Sequence, residues 1–218
     1  MRIPWSDAFH GVVMKALDGG KQAGGPDRKF ASTQVEANGP VVEIATALML
    51  SIPESDRASD KDLPSYAHDL EPHITALYGL HDDDPEPVRR VVGDFGPIHA
   101  RVGGVSAFAN PGTPYEVLKL DIDSPDLRRM HALMASRLKN TQTHPEYVPH
   151  LTIAYLKPGA AKKYTGDSPW AKAAIERLRG RDMWFKSLVF SPVSGDETAI
   201  PLSKTKIVAK PAYPALGE

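Results

Sequence analysis

Pro72-His73-Ile74-Thr75-Ala76-Leu77-Tyr78 recurs as Pro149-His150-Leu151-Thr152-Ile153-Ala154-Tyr155, with Pro, His, Thr and Tyr in the same places of both copies. Read as strands, residues i and i+2 share a face, so each copy presents an imidazole and a hydroxyl together. Ile74 with Ala76, and Leu151 with Ile153, then point to the opposite, apolar face. Continued along the strand, the same alternation puts Tyr78 and Tyr155 on the apolar face as packing residues. The two histidines lie 77 residues apart (150 − 73), too far for a hairpin. That distance suits a duplicated half-domain whose equivalent strands come side by side.

The elements around the copies repeat as well. After Tyr78, Asp84-Pro85-Glu86 opens a helix that ends near Gly96, and strands follow over Ile98–Ala109 and Tyr115–Ile122 around the turn residues 110–114. After Tyr155, Ser168-Pro169 opens a helix ending at Gly180, and strands follow over Met183–Val193 and Thr198–Leu202. Strand, helix, strand, strand thus occurs twice, each time led by His-x-Thr, and a shared element order is stronger support for duplication than a short identity. Between the halves, Ser124-Pro125-Asp126 opens the longest helix, with Leu127, Met130, Met134 and Leu138 on one stripe. Upstream, Ala31–Glu36 and Val41–Ile52 are rich in β-branched and apolar residues and read as two strands about Asn38-Gly39-Pro40. A polar stretch, 53–65, leads into the first copy and is long enough to border a site. The fold class expected is α+β, bilobal and pseudo-symmetric, with a cleft between the halves.

Three regions follow from composition: an arm and Gly-rich connector over 1–30, holding a short helix over 6–17, then a core over 31–204, then a tail over 205–218 with Pro211 and Pro214. With 218 residues, 41 % of them hydrophobic, the core can be sizeable. A net charge of −1 gives no basic field for duplex DNA, although a small phosphorylated ligand remains open. The absence of cysteine removes disulfides, thiolate zinc sites and thiol nucleophiles. No run of about 18 apolar residues suggests a membrane span, and the start lacks the apolar core of a signal peptide, so a cytoplasmic location is expected.

Two histidines facing one cleft can act as a pair. The neutral one takes a proton from an attacking oxygen while the protonated one gives a proton to a leaving oxygen. A threonine two residues along each strand can donate to a non-bridging phosphate oxygen, and two of them can clamp a phosphodiester for in-line attack. Such a site needs no metal or other cofactor. His68, His73, His81, His144 and His150 can in principle cluster, but they lack His-Glu-x-x-His spacing.

On His73-Ile74-Thr75 and His150-Leu151-Thr152 the chain resembles the two-histidine (2H) phosphoesterases. These include the 2′-5′ RNA ligase-like proteins, cyclic nucleotide phosphodiesterases and phage anti-CBASS phosphodiesterases. The resemblance implies paired motif strands in a bilobal fold and metal-independent cleavage of a phosphodiester or a 2′,3′-cyclic phosphate, with His73, Thr75, His150 and Thr152 as the catalytic set. By the same resemblance Phe108 is the aromatic beside the cleft on which a base stacks, unless it is a core residue. Glu197, in the last hairpin, matches a late glutamate with which some anti-CBASS members hold a base. Tyr147 precedes the second motif and is a second stacking candidate, while Lys157, in the loop after it, can hold phosphate or simply be solvated. The expected partner is a small nucleotide, a cyclic oligonucleotide ahead of an RNA end. The alternative of another class is a binding module that keeps the fold without turnover.

Overall fold

The computed structural model describes residues 29–63, 72–109, 112–142, 144, 146–194 and 196–203. The expected helix over 6–17, the connector after it and the tail over 205–218 lie outside the described residues.

Among the described residues eight strands and four α-helices run in the order β1 (Ala31–Glu36), α1 (Pro40–Leu50), β2 (His73–Leu80), α2 (Glu86–Val92), β3 (Ile98–Ala109), β4 (Glu116–Asp123), α3 (Pro125–Arg137), β5 (His150–Leu156), α4 (Pro169–Leu178), β6 (Asp182–Phe185), β7 (Ser187–Ser191) and β8 (Thr198–Pro201). They form two four-stranded antiparallel sheets, ordered β2-β1-β7-β8 and β5-β4-β3-β6. The two His-x-Thr strands are therefore each an edge strand, and the two edges lie against one another.

The first departure from the sequence reading lies upstream of the motifs. Residues 40–50 form a helix, not a strand. Val41, Ala45, Leu48 and Ile52 are buried on a helical i, i+4, i+7, i+11 stripe, with Thr46 and Ala47 buried beside it. Pro40 takes the first helical turn, where its missing N–H costs nothing, and Ala, Leu and Met supply propensity that outweighs the β-branched Val41-Val42 pair. Arg57 closes the far end, donating from Nε to the Ile52 carbonyl (3.1 Å) and from Nη2 to that of Met49 (2.9 Å).

With α1 in place the duplication extends upstream, since β1-α1-β2 matches β4-α3-β5. Each helix then packs on the other half's motif strand, α1 on β5 and α3 on β2. The exchange is completed near Lys186, where the expected single strand breaks into β6, paired with β3 in one sheet, and β7, paired with β1 in the other. α2 is shorter than expected, with Asp84 Oδ1 accepting from the Glu86 amide at 3.0 Å. α3 and α4 start where read, on the side-chain caps Ser124 and Ser168.

Ile74, Ala76, Leu151 and Ile153 are buried beneath the motif strands, each large side chain contributing about 1.5–3 kcal/mol. A one-residue slip in either strand would exchange these for His and Thr, so hydrophobic burial itself fixes the direction of the functional groups. Among the described residues no helix is long and apolar enough to cross a membrane.

Candidate active site

A cavity of about 1070 Å³ opens over the facing edges of β2 and β5, and His73, Thr75, His150 and Thr152 all line it. The repeated proline has the same task in both copies. The Pro72 carbonyl accepts the Ala37 amide (2.9 Å) and that of Pro149 accepts the Ile122 amide (3.1 Å), each anchoring the lead-in to its histidine on the neighbouring strand. A residue without an N–H suits the start of an edge strand.

Both motif strands carry a bulge at the equivalent residue. Thr33 pairs with Leu77 and Gln34 with Thr75, which leaves Ala76 unmatched; Leu118 pairs with Ala154 and Lys119 with Thr152, which leaves Ile153 unmatched. An extra residue reverses the in-out alternation beyond it. Tyr78 and Tyr155 accordingly turn to the cavity instead of packing in the core, and both line it. Tyr155 meets Tyr115, another lining residue, edge to face at 5.3 Å.

The bulged edge of β2 is held by a pair that was not expected in this role. Tyr147 Oη donates to the Thr75 carbonyl at 2.9 Å and His131 Nδ1 to the Ala76 carbonyl at 2.8 Å. Their rings stack on each other at 4.0 Å, 3° from parallel. Tyr147 lines the cavity, as a stacking residue must, but one ring face is already covered by His131 and its hydroxyl ties the approach to β5 onto β2. Burial pushes that hydroxyl's pKa well up, so it remains a donor.

Around His150 the side chains are tightly arranged. Its Nδ1 donates to the Val148 carbonyl at 2.7 Å, leaving Nε2 as the basic nitrogen of the neutral ring. Phe108 packs edge to face on the imidazole at 5.0 Å, and Lys119 Nζ lies 4.4 Å from the centre of the Phe108 ring. Phe108 also lines the cavity. Burial lowers the pKa of His150 below the ordinary histidine value; the charge of Lys119, and after it those of His73 and His144, add to the effect, against the raising influence of the Val148 bond.

The pairing residues on the inner strands complete the site. Across from His73 and Thr75, β1 places Glu36 and Gln34; across from His150 and Thr152, β4 places Asp121 and Lys119. Arg57 and Asp60, from the polar stretch before β2, border the cavity as its length suggested. Lys157 and Glu197 do not line it. Lys157 Nζ turns to the Ser55 carbonyl at 2.8 Å, in a segment that hydrogen-bonds to the end of β5, and Glu197 receives the Ser191 hydroxyl within its own hairpin.

A model of the 2′-5′ RNA ligase superfamily matches residues 51–182, more than half of the chain and both motifs. The chain belongs to that superfamily. Its membership makes the chain an enzyme of the two-histidine phosphoesterase kind. Among solved structures the chain is similar to Kluyveromyces marxianus Usb1, with 12 % identity over 80 % of this chain and 99 % of that one and a TM-score of 0.46. It is similar also to Escherichia coli LigT complexed with NADP+, with 13 % identity over 80 % and 95 % of the two chains and a TM-score of 0.46. No curated protein sequence matches the chain.

Among the described residues no group of three or more His, Asp or Glu side chains is placed to hold a metal ion. Of the residues read from sequence, the structure gathers six at the cavity: His73, Thr75, Phe108, Tyr147, His150 and Thr152. Those missed had signals in part. Tyr78 and Tyr155 are identical across the two copies, and Lys119 and Asp121 alternate with the buried Leu118, Leu120 and Ile122, the pattern of a strand with one polar, inward face.

Proposed function

We propose that the protein is a phosphodiesterase acting on a small nucleotide by acid–base catalysis between His73 and His150, with Thr75 and Thr152 holding the phosphate. The observation that carries this reading is the placement of both His-x-Thr pairs on two abutting edge strands around one cavity. In the reaction one neutral imidazole accepts the proton of the attacking hydroxyl or water as its oxygen bonds to phosphorus. The other, protonated, imidazole gives its proton to the leaving oxygen as the opposite P–O bond breaks. The pair ends with its proton exchanged and is reset through solvent.

Among the described residues that line the cavity Arg57 is the only lysine or arginine, and Asp60 and Glu146 line it as well. That balance favours a compact ligand over a long RNA strand, which would need a basic track. A cyclic oligonucleotide fits it best, with bases against Phe108, Tyr115 and Tyr155. The second reading, an RNA-end 2′,3′-cyclic phosphodiesterase, is favoured by the superfamily itself. Incubation with cyclic dinucleotides, cyclic trinucleotides, 2′,3′-cyclic mononucleotides and short RNAs ending in a 2′,3′-cyclic phosphate, each with and without chelator, tests both. We expect linear products from the cyclic oligonucleotides, unaffected by chelator. Turnover of RNA ends alone would select the second reading, and activity lost in chelator and restored by a divalent cation would move the histidines from proton transfer to coordination.

A further inference from the structure

Across from the two His-x-Thr pairs the inner strands of the two halves differ in charge at one place. On β1 the residues across from His and Thr are Glu36 and Gln34; on β4 they are Asp121 and Lys119. Each histidine thus has a carboxylate across the strand pair, but only the second half supplies an ammonium at the next inward position. Lys119 is 3 % exposed, and its Nζ is bonded to the Asp121 carboxylate and to Ser106 Oγ (2.7 Å), while Ser106 Oγ donates to Asp121 at 2.7 Å. A lysine this deeply buried is uncommon and has to be paired.

We infer that Lys119 divides the labour between the histidines: by neutralising Asp121 it leaves His150 as the general base and His73 as the general acid. This inference rests on the acid–base reading above and adds the direction of proton flow to it. A bare carboxylate at Asp121 would hold His150 as the imidazolium, the wrong form for a base. With the ammonium seated on Asp121, that stabilisation is cancelled, and the cation over Phe108 further disfavours a second positive charge at the imidazole packed on the same ring. In the first half the position of Lys119 is taken by the neutral Gln34, so the ammonium of the second half has no counterpart at that register position. Among the described residues the charged and titratable groups that act on His150 are Lys119 from β4, His73 from β2 and His144 from the approach to β5; Asp121 is its partner in the register between β4 and β5, and Phe108 from β3 packs on its ring. Lys119 is a positioning residue in this scheme, since it acts through Asp121 and His150.

The test is a histidine titration by NMR, read at the His150 ring in the wild type, Lys119→Met, Asp121→Asn and the double variant. Lys119→Met should raise the His150 midpoint by roughly one pH unit, Asp121→Asn should lower it, and the double variant should return near the wild-type value. A purely structural role for Lys119 would not move the two single variants in opposite directions. A midpoint in Lys119→Met that stays within about 0.2 unit of wild type, or falls, overturns the inference. Should Lys119→Met not fold, Asp121→Asn, whose side chain is partly exposed, decides alone: an unchanged or raised midpoint contradicts it. A nitrophenyl phosphodiester, whose leaving group needs no proton, should restore turnover to His73→Ala but not to His150→Ala, and the reverse pattern overturns the assignment. The titration needs no turnover, so an enzyme inactive on every diester would refute the phosphodiesterase reading separately.

Discussion

Replacing Tyr147 by phenylalanine removes one oxygen atom and with it the 2.9 Å bond to the Thr75 carbonyl that ties the approach of one motif strand to the other. The ring, its stacking on His131 at 4.0 Å and its cavity face all remain. A carbonyl left without its donor in a largely buried setting costs about 1–3 kcal/mol. For a chain of this length that lowers the melting temperature by about 2–12 °C. Because Thr75 is two residues from His73, the loosened edge lets the phosphate clamp drift relative to His150, and drifts well under 1 Å should cost about tenfold in kcat, with KM little changed. Thermal denaturation and steady-state kinetics on a cyclic oligonucleotide read both effects. If Tyr147 acts by stacking on a base, Tyr147→Phe will be silent and Tyr147→Leu will raise KM. Wild-type stability and kcat in Tyr147→Phe would therefore refute the bracing role.

Thr75→Val and Thr152→Val each delete one hydrogen bond to a charged phosphate, about 1.5–3 kcal/mol or roughly 10- to 100-fold in kcat/KM, less than loss of either histidine. A loss equal to that of the histidine variants, in a folded protein, would mean the threonine has another role. Gly79→Ala should destabilise by about 3 kcal/mol or more. Gly79 has φ +97°, an added Cβ would come within 2.1 Å of the Thr141 carbonyl oxygen, and wild-type stability would contradict that packing. Stability should also fall on acidification through the titration of His150, whose folded pKa lies below its unfolded value. The unfolded chain then binds the proton first, so this contribution is intact above about pH 6.5, declines as pH falls towards the folded pKa, and is level below it. Chemical denaturation at pH 7.5 and 5 should show a smaller acid loss for His150→Gln than for wild type, and equal losses would contradict the argument.

What could be read from the sequence was whatever periodicity and repetition encode directly. Ile74, Ala76, Leu151 and Ile153 are apolar because they are buried, and that alternation alone sets His73, Thr75, His150 and Thr152 on the opposite face. The start of α3 was legible because Ser124 caps it with its own side chain. The helix over 40–50 was not, since Val41-Val42 and the flanking turn residues resemble a strand, and the arbitrating stripe of Val41, Ala45, Leu48 and Ile52 is spread over three turns. The paired bulges at Ala76 and Ile153 leave no compositional mark, because an extra residue in a ladder is defined by its partner strand. That is why Tyr78 and Tyr155 were assigned to the wrong face. Lys157 is read from its place after a motif and Glu197 from the family resemblance, and neither says which way a side chain turns in a loop. Lys119 and Asp121 carry a visible pattern, but their importance depends on the register between β4 and β5, a property of the pairing and not of either strand.

The most direct test of the account is the turnover of His73→Ala and His150→Ala on an unactivated phosphodiester, with circular dichroism confirming the fold. The imidazoles face the cavity and not the core, so both variants should fold as wild type and each should lose about 10² to 10⁴ in rate. Near-wild-type turnover in either one would contradict catalysis by the pair.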